Sequence, residues 1–180
     1  RFFEDDARHF IKKSKKKYDL IILDMASGEV QPSHVFTLKG IAELKKILQK
    51  DGIIMIQYQE KKNPEKISGS KSIALTFQKN NFKVYANTDE GEINNIVLAA
   101  SLGEIDFTKL ERNKMTKNSL GVKWLEDFLK SPFQPIHTNP KNAIVLSDDK
   151  PILETINAET IEAWRKIMMK SYGLKFIEKK

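Results

Sequence analysis

The chain has 180 residues, of which 40% are hydrophobic and 31% charged, and its formal net charge is +7 at pH 7. This length fits one well-buried domain with or without an appendage, and it excludes two full domains. No apolar run approaches the roughly 18 residues of a membrane span, and no secretory signal is visible. The lack of cysteine excludes disulfides and thiolate metal sites, and the three histidines are too dispersed for ligand-type spacing, so we expect no metal site.

A basic segment near the start of the chain raises the question of nucleic-acid binding. Lysines occupy all but one of the positions 12–17. However, no aromatic residues lie between them to stack on bases, and arginine, the usual reader of base edges, is scarce. The segment directly precedes a predicted strand, and cations favour the last turn of a helix. We therefore interpret it as a solvated helix end and expect no nucleic-acid partner.

The first predicted elements are a short helix and an apolar strand. Asp5 and Asp6 are typical of a turn and helix cap, and the helix is predicted from Ala7. The four aliphatic residues before Asp24 predict a strand buried on both faces, as in parallel sheets covered by helices. Asp24 then lies at the carboxyl end of this strand, where ligands bind in open α/β sheets, and is a candidate site residue. A carboxylate in this position equally serves to cap the next segment or to bind a loop amide.

The next elements form a strand, helix, strand unit. Apolar residues at helical spacing predict a helix over 37–49, which Asp51 and Gly52 end. A second buried strand is predicted over 53–56. Because a crossover helix joins them, the two strands are expected to be parallel.

One more helix and two strands complete this part of the chain. The helix is predicted over 71–79, and strands over 82–85 and 96–100 are expected to form an antiparallel hairpin at the sheet edge. The composition then shifts toward helix and loop. The sequence therefore predicts an α/β domain over 1–103 and a mainly helical extension over 104–180 that packs on it.

The C-terminal part contains two amphipathic patterns. One predicts a helix over 120–130, which Pro132 stops. The other predicts a final helix that Asn157 caps and Gly173 ends. The residues expected on the inward face of this last helix are Ile161, Trp164, Ile167 and Met168.

Three short motifs in the first half of the chain together resemble the later half of the spermidine synthase family. They are Asp6-Ala7-Arg8, the run from Tyr18 to Asp24, and Asp51-Gly52-Ile53 followed by Gln57. The resemblance covers roughly residues 1–102. It implies an α/β fold, the Rossmann-like fold of S-adenosylmethionine-dependent methyltransferases, with the first strands of that fold missing from this sequence.

The resemblance also implies which residues form a site. By position, Asp6 and Ala7 would contact the nucleoside co-substrate, which is decarboxylated S-adenosylmethionine or S-adenosylmethionine. Asp24 would be the catalytic carboxylate that faces the reacting amine, with Ser27 and Gln57 beside the amine substrate.

A second resemblance lies near the C-terminus. The stretch from Val145 to Glu154, with Asp148 and Asp149 at its centre, looks like the ending of bacterial synthase-like domains fused behind membrane segments. This implies a cytoplasmic location, as a free protein or as the cytoplasmic domain of a protein with an N-terminal membrane portion. An aspartate turn followed by a helix entry accounts for Asp148 and Asp149 equally well.

The sequence also departs from the family pattern. Ser27 stands where synthases usually carry a second aspartate, which removes an anchoring charge for a cationic substrate. The glycine-rich loop after the first strand and the acid that ends the second strand are absent. We therefore expect the isolated chain to be inactive, and aminopropyl transfer to an amine to belong at most to the intact protein.

Two other functions remain open from the sequence. One is a non-catalytic nucleoside-binding or regulatory domain, and the other is a generic S-adenosylmethionine-dependent methyltransferase. Missing strands would leave an exposed sheet edge. We therefore expect self-association, for example as a homodimer, or marginal stability of this piece alone.

Overall fold

The computed structural model describes residues 4–25, 32–62, 67–89, 91–107, 133–150 and 152–174. In chain order the elements are α1 (Ala7–Lys13), β1 (Tyr18–Leu23), a 3-10 turn (Ser33–Val35), α2 (Leu38–Ile47), β2 (Leu48–Lys61), α3 (Gly69–Lys79), β3 (Lys83–Thr88), β4 (Ile93–Ser101), β5 (Gln134–Pro135), α4 (Leu153–Ile156) and α5 (Ala158–Ser171). The predicted helix over 120–130 lies outside the described residues.

The described strands form one five-stranded sheet in the order β1-β2-β4-β3-β5. β1 and β2 are parallel and are joined through α2, as the sequence predicts. β3 and β4 form the predicted antiparallel hairpin. However, β4 is an internal strand, because it also pairs with β2, and the short β5 lies beyond β3.

Helices cover the two faces of the sheet differently. Ile54, Ile56 and Tyr58 of β2 are fully buried in one apolar cluster with residues of α1, α2 and α3. Side chains alternate along a strand, so Gln59 points to the opposite face. There it accepts a hydrogen bond of 2.9 Å from the indole Nε1 of Trp164 in α5. The sheet therefore lies between three helices on one face and α5 on the other.

The prediction that β1 is buried on both faces is wrong. Leu23 is 5% exposed, but Leu20 and Ile22 are 50% and 65% exposed. The reason is that β1 lies at the sheet edge and packs only one of its faces on the helices. The expected self-association through this edge stays a prediction.

The predicted boundary between α2 and β2 is also wrong. The helix ends at Ile47 and the strand begins at Leu48, so that Asp51 and Gly52 lie inside β2 and do not form a turn. Tyr18 pairs with Leu48, and the register then shifts before the next pair. A Cβ on Gly52 would lie 2.8 Å from the Leu48 side chain, so a larger residue at position 52 would require that side chain to shift.

The last helix begins and ends where the sequence predicts, but two details differ. Asn157 is the N-cap residue, yet its side chain makes no capping hydrogen bond, and its Oδ1 is buried without a partner among the described residues. Met168 is 43% exposed and not inward-facing, while Thr160 and Ala163 are the buried residues of this helix. Gly173 has a φ of 69°, which suits the end of a helix.

Two further observations concern the chain as a whole. β5, from the predicted C-terminal extension, pairs with β3, and the division into 1–103 and 104–180 stays a prediction.

Among the residues that the structure describes, no helix combines the length and the apolar character that a membrane crossing requires.

Candidate functional site

A groove of about 470 Å³ runs along the β1 edge of the sheet. α1, β1 and α2 supply its walls, which are largely apolar. Ala7 and Asp24, two of the residues that the sequence singles out, both line it. The apolar lining includes Phe10, Ile11, Leu20, Ile22 and Leu44. An apolar groove that also contains a few polar side chains, here Asp5, Tyr18 and Asp24, suits an organic ligand that carries a charge.

Asp24 follows β1 directly and is exposed at the carboxyl end of the strand, as predicted. Gln57 is also exposed and follows Ile56, the residue that pairs with Leu23. Asp24 and Gln57 are therefore the next residues along neighbouring parallel strands. Gln57 is not among the residues that line the groove. Ser27 lies outside the described residues.

Asp6 caps the first turn of α1. Its Oδ1 accepts a hydrogen bond of 3.0 Å from the backbone N–H of His9, and its Oδ2 lies 3.2 Å from Nε2 of His34. The backbone hydrogen bond from His9, followed by the charge and hydrogen bond of His34, holds the pKa of Asp6 below its ordinary value. The Asp6 side chain is 56% exposed. Its ionised carboxylate is therefore accessible to solvent, but Asp6 is not among the residues that line the groove, whereas its neighbours Asp5 and Ala7 are.

Arg8 forms an ion-pair network that the sequence does not predict. Its Nε donates to Oε2 of Glu43 at 2.9 Å, and its terminal nitrogens donate to the two carboxylate oxygens of Asp148 at 2.9 and 2.8 Å. One of these nitrogens also donates to the backbone oxygen of His34 at 3.0 Å. The two carboxylates raise the pKa of Arg8. The network therefore joins α1, α2, the 3-10 turn and the C-terminal segment.

Asp148 and Asp149 form a turn, as the simpler interpretation of this stretch predicts. Asp148 also has a further role. The turn lies between Ser147 and Lys150, which form an isolated bridge. Asp148 accepts from Arg8 and also from the hydroxyl of Thr37, which caps α2. Arg8 and Asp148 are 140 positions apart in the sequence, so no local sequence signal reveals this pair.

Other contacts hold the same C-terminal segment in place. The backbone N–H of Leu38 donates to the backbone oxygen of Leu146 at 2.9 Å. The backbone N–H of Ser33 donates to Oε1 of Glu154 at 3.3 Å. The stretch that resembles the ending of synthase-like domains therefore packs beside the 3-10 turn and the start of α2.

The Asp148 pair predicts a specific loss of stability in acid. Hydrogen bonds from Arg8 and then Thr37 lower the pKa of Asp148 from 3.8 to about 2. Because the folded-state pKa is the lower one, the stabilisation is complete above about pH 4 and is lost as the pH falls through about 2. We expect about 1 kcal/mol, since 34% of the Asp148 side chain is exposed and water screens the pair.

Urea unfolding of the wild type and Asp148→Asn at pH 6 and pH 2.5 measures this contribution. The difference in unfolding free energy between the two proteins should shrink at the lower pH. Comparison with the variant removes the titration of the other carboxyl groups. An unchanged difference would show that Asp148 is not held ionised by Arg8.

The basic segment lies next to this groove. Lys12 and Lys13 occupy the last turn of α1, as the solvated helix-end interpretation predicts. A second cleft of about 250 Å³ is lined mainly by lysines of this segment together with Glu43 and Lys46, and Ile11 and Ile47 line both the cleft and the groove. Among the described residues no group of three or more histidine, cysteine or acidic side chains is arranged to hold a metal ion.

Comparisons with known proteins agree with the resemblance seen in the sequence. Residues 2–88 match the family model of the spermine/spermidine synthase domain. Polyamine aminopropyltransferase 2 of Aquifex aeolicus is 38% identical over 58 residues, and an N-terminal histidine N-methyltransferase of Emericella nidulans is 37% identical over 59 residues. These stretches are 32% and 30% of this chain, and they span only 12% and 11% of the two relatives' own lengths.

A solved structure has the same fold. The crystal structure of a probable spermidine synthase from Corynebacterium glutamicum superposes with a TM-score of 0.52 at 18% sequence identity. The superposition covers 78% of this chain and 52% of the other. The α/β fold of the methyltransferase type, predicted from the sequence, is thereby confirmed.

Proposed function

Since residues 2–88 are spermidine synthase-like, we propose that the intact protein transfers an aminopropyl group from decarboxylated S-adenosylmethionine to a small-molecule amine. The observation that supports this most strongly is that Ala7 and Asp24 line one groove at the β1 edge. The family resemblance assigns Ala7 to the nucleoside and Asp24 to the amine. A single ligand-sized space would therefore hold both reactants.

The proposed reaction is an in-line displacement. The amine nitrogen attacks the carbon attached to the sulfonium sulfur, so that a C–N bond forms, the C–S bond breaks and its electron pair goes to sulfur. The product is a neutral thioether nucleoside. Before attack the ammonium gives up one proton, which Asp24 accepts after orienting the amine through a charge-assisted hydrogen bond. Most of the rate is expected from alignment of the two reactants.

The remaining predicted residues have defined roles in this proposal. Asp6 accepts a hydrogen bond from the nucleoside through the exposed part of its carboxylate. Gln57, exposed beside Asp24 on the neighbouring strand, contacts the amine. Ser27 replaces a carboxylate with a hydroxyl, so the amine is anchored by one charge fewer than in the synthases.

Methyl transfer is the second candidate. It is favoured by the similarity to the histidine N-methyltransferase. That match has nearly the same sequence identity and length as the match to the aminopropyltransferase. In that case S-adenosylmethionine is the co-substrate, and Asp24 shapes the acceptor pocket without taking a proton.

Calorimetric titration of the full-length polypeptide that carries this sequence separates the candidates. Binding of decarboxylated S-adenosylmethionine, followed by binding of putrescine as a test amine, supports aminopropyl transfer. Binding of S-adenosylmethionine alone indicates methyl transfer. No heat with either nucleoside would overturn both transfer reactions and leave a non-catalytic, regulatory domain.

A substitution at Asp24 tests its role toward the amine. Asp24→Asn removes the charge that pairs with the ammonium, and we expect about tenfold weaker amine binding with nucleoside binding unchanged. Asp19→Asn is the matched control, because Asp19 is an exposed aspartate toward the other end of the same strand. Equal effects of the two substitutions on amine binding would contradict a specific role for Asp24.

A further inference from the structure

We propose that His34 is a positioning residue for the nucleoside, because it holds the carboxylate of Asp6, the neighbour of the groove residue Ala7, in one orientation. The inference rests on the proposed function, in which Asp6 contacts the nucleoside. Neither the sequence motifs nor the similarity to known proteins assigns a role to His34.

Both carboxylate oxygens of Asp6 have a hydrogen-bond partner. Oδ1 is fixed by the backbone N–H of His9, and Oδ2 has His34 Nε2 at 3.2 Å as its partner. An ionised carboxylate offers about four lone-pair sites, so both contacts leave room for a ligand donor. Without His34, rotation of the carboxylate would be limited only by the helix cap. Fixed orientation is what a directional hydrogen bond to a nucleoside needs.

His34 is itself held by the network around Arg8. Its backbone oxygen accepts a hydrogen bond of 3.0 Å from Arg8, which also binds Asp148. The hydroxyl of Thr37, which donates its proton to Asp148, lies 3.3 Å from the same backbone oxygen. A continuous chain of polar contacts therefore runs from the C-terminal turn through His34 to Asp6. This gives the C-terminal segment a structural connection to the proposed site.

The His34–Asp6 pair is exposed, so its effect on ligand binding can be measured apart from any effect on folding. The side chains of His34 and Asp6 are 45% and 56% exposed, and exposed ion pairs contribute little to folding. The control is His137, an exposed histidine that follows β5 at the opposite edge of the sheet from β1.

The test compares three variants of the full-length polypeptide by titration with 5′-methylthioadenosine, the thioether nucleoside of the proposed reaction. His34→Leu removes the N–H donor and should weaken binding about fivefold. His34→Gln keeps an N–H near the position of Nε2 and should bind within about twofold of the wild type. His137→Leu, the control, should bind like the wild type. The thermal midpoint should be the same for all four proteins, which shows that folding is intact.

Each outcome decides between the hypotheses. Wild-type affinity in His34→Leu, equal losses in His34→Leu and His137→Leu, or failure of His34→Gln to restore binding would overturn the role of His34 alone. A wild-type protein that binds no nucleoside would overturn the proposed function, and the positioning role with it.

Discussion

Replacing Arg8 with methionine is expected to lower the free energy of unfolding by about 3 kcal/mol. The Arg8 and Glu43 side chains are only 11% and 12% exposed. Methionine keeps the aliphatic part of the side chain but leaves Glu43 and Asp148 without their guanidinium partner. The loss of two charge-assisted contacts from a poorly hydrated position explains the expected size. Urea unfolding followed by circular dichroism measures it.

A double-mutant cycle isolates the pair that joins the two ends of the chain. Arg8→Met and Asp148→Asn should be coupled by about 1 to 2 kcal/mol, because the contact is bidentate. Lys13→Met is the control, since Lys13 is an exposed cation on the same helix. Its coupling to Asp148 should be close to zero. A coupling of Arg8 to Asp148 that is equally small would contradict the network.

Gly69→Ala is expected to destabilise the fold by about 3 kcal/mol through a steric clash. A Cβ at position 69 would lie 2.0 Å from the hydroxyl oxygen of Tyr58 and 2.7 Å from the ring carbon that bears it. The buried carboxylate of Glu60 keeps the start of α3 close to β2, because it accepts hydrogen bonds from Ser68, Ser70 and the backbone N–H of Gly69. The backbone therefore cannot move away easily.

Tyr58→Phe tests the same steric clash from the Tyr58 side. The Tyr58 side chain is 0% exposed, and its hydroxyl has no hydrogen-bond partner among the described residues. Removing that hydroxyl should leave stability unchanged or raise it slightly, and it should reduce the cost of Gly69→Ala in the double variant. Gly103→Ala, where a Cβ meets nothing within 4 Å, should have little effect. Equal costs at positions 69 and 103 would show that the clash is relieved.

The sequence predicts the order of elements well where the signal is local. Helical spacing in α2 and the aliphatic run before Asp24 are sufficient to predict the parallel pair β1 and β2. The same aliphatic run fails to show that Leu20 and Ile22 are exposed, because burial of the second face depends on what lies beside the strand. No residue within β1 carries that information.

The site shows the same division between local and distant information. Asp24 is placed correctly because the end of a strand is a local feature. The position of Asp6 as a helix cap follows from its own neighbours. The pairing of Arg8 with Asp148 and of His34 with Asp6 depends on how separate segments pack together, and one sequence gives no measure of that. Both partners of the first pair lie in motifs that the sequence singles out, but the contact between them is a result of the fold.

The most direct test of the proposed site is to map where a nucleoside binds. The full-length polypeptide can be labelled with ¹⁵N at alanine and aspartate and titrated with 5′-methylthioadenosine while amide chemical shifts are recorded. The predicted result is that the largest shifts occur at Asp6, Ala7 and Asp24. Asp89, which follows β3 and is separated from β1 by β2 and β4, should be unchanged. Binding that leaves the amides of Asp6, Ala7 and Asp24 unshifted would contradict a nucleoside site in the groove along β1.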